Sequence, residues 1–229
     1  KICNKKVINI HIQNPKVSLQ NFDFVVAPDH DSIDGPNVLI SKGAIHYLTI
    51  DEINNAKDYL VNKIEKGKDV ITLILGGPTK YYNYSKEHIS EIFSKINKQI
   101  LEKNLQLILI PSNRTPENII QFAKEYFSKN SLIIDTVDKQ AYLSSLSLAK
   151  YIIVTCDSSS MISEAALTEK PIYVAMIPAA RSDKRFQKFR NLLESMNIIR
   201  KLEDEIDTWS YEKLDETNRI ARLIKEKLS

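Results

Sequence analysis

Glycine and cysteine are scarce in this chain, with 5 and 2 residues among 229. Two cysteines build no disulfide framework for a protein of this size, and Cys3 and Cys156 belong to no CxxC or His/Cys cluster of metal-binding spacing. No structural zinc is therefore expected, and a reducing, cytosolic compartment is. With 5 Gly and 8 Pro, collagenous and low-complexity chains are excluded, while 43% hydrophobic and 27% charged residues exclude disorder as the main state. A surplus of one charge sign is missing too. The 32 Lys and Arg against 29 Asp and Glu leave a net +3, too little for the whole-chain footprint of a nucleic-acid binder. Apolar runs such as LILI at 107–110 and YIIV at 151–154 fall far short of the roughly 18 residues that span a bilayer. The opening residues lack the apolar stretch of a secretory signal, and the chain begins with Lys1 rather than Met, so an upstream segment is expected.

What the chain does have is alternation. From residue 69 onward, β-branched runs (DVITLIL at 69–75, LQLILI at 105–110, SLIID at 131–135, KYIIVT at 150–155, KPIYVAM at 170–176) alternate with stretches whose apolar residues recur at i, i+3, i+4 and i+7. Five strands joined by four helical crossovers predict a parallel α/β sheet. Thr115, Pro116 and Glu117 suit a helix N-cap, a first-turn proline and a carboxylate at the positive end of the dipole, which predicts a helix from 116. The first 66 residues predict a smaller α/β lobe. Its strands are VINIHI (7–12), FDFVVA (22–27), NVLI (37–40) and HYLT (46–49), followed by a helix over 51–66 that stops at Gly67. The division expected is a partial N-terminal lobe over 1–66, a Rossmann-like nucleotide-binding lobe over 67–200, and a C-terminal helix within 201–229 that packs back on the first lobe.

In an open parallel sheet, ligands bind beyond the carboxyl ends of the strands, so the residues after each run are the candidates. Gly76, Gly77 and Thr79 lie in the turn after the first strand of the second lobe, where glycines let backbone N–H groups approach an anion, although a Gly-Gly-Pro turn is more often plain loop geometry. Arg114 follows the second strand at a helix start, which suits a phosphate, and also suits an ordinary cap with a solvated arginine. After the fourth strand, CDSSSMISEA places Ser158, Ser159 and Ser160 at a helix start and Glu164 about a turn further in. Such serines suit a diphosphate and such a glutamate suits ribose hydroxyls, although a serine-rich cap with a first-turn carboxylate reads equally well. In the first lobe, His30 between Asp29 and Asp31 is a candidate general base. Cys156, also near a helix start, has no histidine partner that would make it a nucleophile. The basic stretch RSDKRFQKFR carries Lys184, Arg185, Lys188 and Arg190 around Phe186 and Phe189. It predicts either a helix with the rings inward and the charges solvated, or a contact with an anionic membrane surface or a phosphorylated acceptor.

The motifs FDFVVAPDHD, GPNVLISKGAIHYLT, LILGGPTK, PSNRTP, TCDSSSMISEA and KPIYV occur in an order that resembles the mitochondrial-fission family named after the plant "elongated mitochondria" protein. The resemblance runs from about residue 8 to 200 and is most specific at His30–Asp31, GGPTK and DSSSMISEA. It implies a GT-B-like fold of two facing lobes and a nucleotide-sugar as donor substrate, and nothing in the residues calls for a metal or a further cofactor. By the same resemblance Gly76, Gly77 and Arg114 would face the diphosphate, Ser158, Ser159 and Ser160 would lie beside it, and Glu164 would take the ribose. His30 and Asp31 would face the cleft and act in catalysis. The functions this implies are a glycosyltransferase-like protein or, alternatively, a non-catalytic scaffold that recruits partners at a membrane.

Overall fold

The computed structural model describes residues 7–127 and 131–228, so Cys3 lies outside the described residues. The chain is α/β, with two parallel sheets that open on one cleft. The smaller sheet contains β1 (Ile10–Ile12), β2 (Phe24–Pro28) and β3 (Val38–Ser41), in that order and all parallel. The segment HYLT, expected as a strand, is loop, because Thr49 turns the chain into a helix. Its side chain accepts from the Glu52 N–H and Glu52 returns the bond to the Thr49 N–H, a capping box that opens α1 (Ile50–Asn55). The helix expected over 51–66 is two pieces, α1 and α2 (Asp58–Val61). The break follows Asn54–Asn55, a pair of weak helix formers.

The larger sheet begins with β4 (Asp69–Leu75), crosses over through α3 (Lys86–Lys103) to β5 (Leu105–Pro111), and then through α4 (Glu117–Tyr126) to β6 (Ser131–Ile133). The chain returns through α5 (Lys139–Leu148) to β7 (Ala149–Thr155), and continues through α6 (Ser159–Ala165), β8 (Ile172–Ala175) and α7 (Lys184–Ser195) to β9 (Ile199–Lys201). The strand order is β6-β5-β4-β7-β8-β9. Counted from β4, that is the Rossmann order 3-2-1-4-5-6, with its topological switch point between β4 and β7. Strand β9 has no counterpart among the five runs expected, since three residues are too few to show a period.

Alternation explains the two-sided core. In β5, Leu105, Leu107 and Leu109 pack with α3 and α4, while Ile108 and Ile110 pack on the other face with Leu60 of α2 and Ala141 of α5. Helix α3 brings Ile89, Ile92, Phe93, Ile96 and Ile100 to the sheet at helical spacing and ends at Asn104, which is left-handed. Helix α4 starts one residue later than expected. Pro116 is its N-cap in extended conformation, and the Thr115 hydroxyl instead donates to the carbonyls of Leu75 (2.9 Å) and Gly76 (2.6 Å).

The last helix, α8 (Glu216–Leu228), begins where Asp215 accepts from the Asn218 N–H. It returns to the small sheet, where Ile220 joins Phe24, Val26 and Leu39 in one apolar cluster. Its first turn also pins the link between lobes. Buried Glu216 accepts from the Lys42 N–H (2.6 Å), and Thr217 exchanges hydrogen bonds with the backbone of His46.

Candidate functional site

The switch point is closed by its own side chains. Asp157, next after Cys156 at the end of β7, has a side chain 0% exposed. It accepts from the Gly77 N–H (3.2 Å), the Tyr84 hydroxyl (2.5 Å) and the Arg114 guanidinium (2.8 Å). Arg114 also donates to the Gly77 carbonyl at 2.9 Å, and the Gly76 N–H is taken by the Thr155 hydroxyl at 2.8 Å. Burial and the adjacent Asp157 raise the Tyr84 pKa, so the hydroxyl remains a donor to that carboxylate. The Gly76 and Gly77 N–H groups, expected to face a diphosphate, are taken by Thr155 and Asp157, while Arg114 donates to Asp157 and the Gly77 carbonyl with its side chain still 41% exposed. The two glycines serve close approach instead. A Cβ on Gly76 would overlap the Asp157 carboxylate, and one on Gly77 the Arg114 carbonyl. Thr79 is likewise internal, its hydroxyl accepting from the N–H groups of Tyr81 (3.1 Å) and Tyr82 (3.2 Å). Asp157 and Tyr84 were missed in the sequence, although a carboxylate directly after a buried strand signals a need for donors.

Space exists on the other side of α6. A cavity of about 250 Å³ lies off the carboxyl ends of all three strands of the small sheet, at Gln13, Pro28 and Ser41, and is closed from the second lobe by Ser159, Ser160 and Arg185. His30 and Asp31 line it as well. The structure thus brings together His30, Asp31, Ser159 and Ser160 of the expected set, and leaves Gly76, Gly77, Thr79, Arg114, Ser158 and Glu164 off its lining. Ser158 caps α6 by accepting from the Met161 N–H at 3.4 Å. Glu164, one turn along α6 from Ser160, accepts from the buried Tyr142 hydroxyl at 2.6 Å, and burial raises its pKa. Ser41 is the residue the sequence reading missed. It ends β3, it is 1% exposed, and its hydroxyl has no hydrogen-bond partner although it borders the cavity.

His30 and Asp31 sit on a 3-10 turn, Asp29–Asp31, that follows β2 directly and docks on α7. Asp31 pairs with Arg185, and Asp29 pairs with Lys188 at 3.2 Å. Lys188 also donates to the Asp29 carbonyl (2.7 Å) and meets the Ser32 hydroxyl (3.2 Å). The His30 ring stands edge-on to Phe189, and its Nε2 is 3.8 Å from an Asp31 oxygen. Burial is the largest influence on His30 and holds its pKa below the ordinary 6.5, with Arg185 and Lys188 adding to it and the aspartates opposing. At neutral pH the imidazole is therefore uncharged and able to accept a proton.

Three of the four cations in the basic stretch have partners within the chain. Arg185 and Lys188 are committed to the first lobe, and buried Arg190 pairs with Asp183 at 2.9 Å while donating to the Tyr82 hydroxyl at 3.0 Å. Lys184 remains an exposed cation of the four. Cys156 is buried and its thiol is pushed up to about 11, the reverse of the lowering expected from a helix start. No helix among the described residues is long and apolar enough to cross a membrane, and no group of three or more His, Cys, Asp or Glu residues among them is arranged to hold a metal.

Comparison with known proteins adds a family. A model described as mitochondrial fission ELM1 matches residues 1–228. The mitochondrial fission protein ELM1 of Arabidopsis thaliana is 22% identical over 258 residues, which cover 100% of this chain and 60% of that protein. An uncharacterized protein of Rickettsia prowazekii is 28% identical over 255 residues, covering 94% of this chain and 72% of its own. Among solved structures, the UDP-GlcNAc 2-epimerase of Methanocaldococcus jannaschii is similar with a TM-score of 0.47 and 16% identity, over 90% of this chain and 63% of the epimerase. The chain thus spans somewhat less than two thirds of the plant protein and of the epimerase.

Proposed function

Since the chain belongs to the mitochondrial fission ELM1 family, we propose that its interlobe cleft binds a nucleotide-sugar through the sugar–diphosphate end. The observation that carries this reading is Ser41, a buried hydroxyl without a partner at the edge of a cavity formed by the carboxyl ends of the small sheet's strands and closed by two helices of the second lobe. A buried hydroxyl without a hydrogen bond costs about 1–3 kcal/mol, a cost that a polar ligand relieves. Ser159 and Ser160 add hydroxyls from the second lobe and Arg185 adds a cation. Ligand sites commonly run to roughly 300–1,000 Å³. A cavity of about 250 Å³ holds the sugar and diphosphate and leaves the base outside. Glu164, on the same face of α6 as Ser160, then lies toward the ribose.

If the ligand reacts, the proton acceptor is the pair His30 and Asp31, whose Nε2 and carboxylate oxygen are 3.8 Å apart at the cavity. Positioned donors at the diphosphate would favour its departure. The test is calorimetric titration of the chain with UDP, GDP, ADP and their common sugar conjugates, beside Ser41→Ala and Ser159→Ala. One nucleotide series should bind, its sugar conjugate more tightly than the bare diphosphate, and both substitutions should weaken it. A folded chain that binds none of them would refute the reading.

A further inference from the structure

We propose that Arg185 recognises the charge of the cleft's ligand by exchanging the Asp31 carboxylate for a phosphate oxygen, and that His30 takes up a proton as it does so. The inference rests on the proposed nucleotide-sugar site and assigns its charge-recognising residue. The ion pair is lopsided, with the Asp31 side chain 6% exposed and that of Arg185 61% exposed. A guanidinium has five N–H donors in a planar fork that matches phosphate, and this one lines the cavity with most of its surface open. Beside it is a recess of about 60 Å³ bounded by His30, Ser159, Arg185, Phe186 and Phe189. That is about twice a water molecule's ~30 Å³ share of the liquid, room for a phosphate oxygen to enter between the serine and the arginine.

Exchange creates a second requirement. A carboxylate left buried without its cation is strongly disfavoured. The groups that face this point are Asp29 and Asp31 on the turn itself, Arg185 and Lys188 on α7, the Phe189 ring, and Ser159 on α6. Lys188 is held by Asp29, the Asp29 carbonyl and Ser32, so it keeps the turn docked and does not follow Arg185. The group able to gain a positive charge is His30, with Nε2 already 3.8 Å from Asp31. While Arg185 is present its charge, added to burial, keeps the imidazole neutral, and once it turns to an anion the pull of Asp31 is less opposed.

The experiment titrates UDP and inorganic pyrophosphate into the full chain and its Arg185→Gln, Arg185→Lys, Asp31→Asn and His30→Gln forms. It is run near pH 6.5 in two buffers of different ionisation enthalpy, with the His30 pKa followed by NMR in the ligand-free chain and in Arg185→Gln. Arg185→Gln should weaken both probes about 10- to 100-fold, as loss of a charge-assisted contact does, and Arg185→Lys should weaken them less. Asp31→Asn should strengthen binding, because the competing carboxylate is gone. Binding to the unsubstituted chain should take up protons and binding to His30→Gln should not, while His30 should titrate higher in Arg185→Gln than in the unsubstituted chain. Equal UDP affinity with and without Arg185, or weakening by Asp31→Asn as large as by Arg185→Gln, would overturn the exchange. An unchanged His30 pKa in Arg185→Gln would overturn its proton step. If the unsubstituted chain binds neither probe while its sugar-nucleotide titrations also fail, the site reading itself falls; binding that ignores Arg185 removes the exchange alone.

Discussion

The two lobes of this molecule are held together by different means. The second has three central strands of seven residues each, β-branched and buried on both faces, with helices covering them from either side. The first has strands of three, five and four residues, and its edge strand leaves Ile10 42% and Ile12 53% exposed. A sheet so small reaches stability by packing on something else. Here that is α8, from the opposite end of the chain, together with the ion pairs from Asp29 and Asp31 to α7. Yet the first lobe supplies Ser41, His30 and Asp31 to the cleft. Half of the candidate site therefore stands on tie-downs from outside its own lobe, and substitutions should separate the two halves.

The largest effect should come from the second lobe. Phe93 is fully buried and in ring contact with Phe122, Tyr126 and Phe127. Phe93→Ala should cost about 3–5 kcal/mol of global stability, read as a lower urea midpoint shared by every probe. Ile220→Ala should cost about 2–4 kcal/mol, and its signature is local. Amides of β2 and β3 should exchange faster with solvent while those of β4, β5 and β7 keep their protection. Equal loss in both sheets would show that the lobes unfold as one unit and that the contrast drawn between them is wrong.

A smaller effect contrasts the closed switch point with the open cleft. In Gly77→Ala the new methyl meets the Arg114 carbonyl, a backbone atom that yields little, and overpacking of this kind costs about 1–3 kcal/mol. Nucleotide affinity should nonetheless stay within about twofold. Loss of binding in a chain that remains folded would return the diphosphate to the turn at Gly76 and Gly77.

The sequence showed what depends on neighbours along the chain. Strand β4 is DVITLIL at the residues expected, because a buried parallel strand is a continuous β-branched run with polar punctuation at each end. It did not show what depends on partners far away. The N–H groups of Gly76 and Gly77 read as free for an anion, and they are filled by Thr155 and Asp157, some 80 residues distant. Arg185 and Lys188 read as a solvated or lipid-facing pair, and their partners lie more than 150 residues earlier. Ser41 carried no local signal, since a serine that ends a strand is ordinary until its hydroxyl is found buried and unpartnered at a cavity. His30 and Ser159 were found because a strand end is a local feature that the topology turns toward the cleft.

The finest distinction concerns protons. Burial keeps the native His30 pKa below 6.5, its value in an unfolded chain. Between those two values the unfolded chain binds more protons than the folded one, so stability rises with pH across the window and is lost as pH falls through it. His30→Gln should flatten that slope by up to one proton, measured as the change of urea midpoint between pH 5 and 8 at constant ionic strength. Arg185→Gln should narrow the window from below, since a cation that lowers the native pKa is gone. Asp31→Asn should widen it, since an anion that raises the pKa is gone. The opposite slopes report that both charges act on the imidazole, whereas loss of the docking contact shifts the midpoint the same way in both variants at every pH. A slope indifferent to all three would mean that His30 titrates alike in both states, and would remove the physical basis for a neutral base in the cleft.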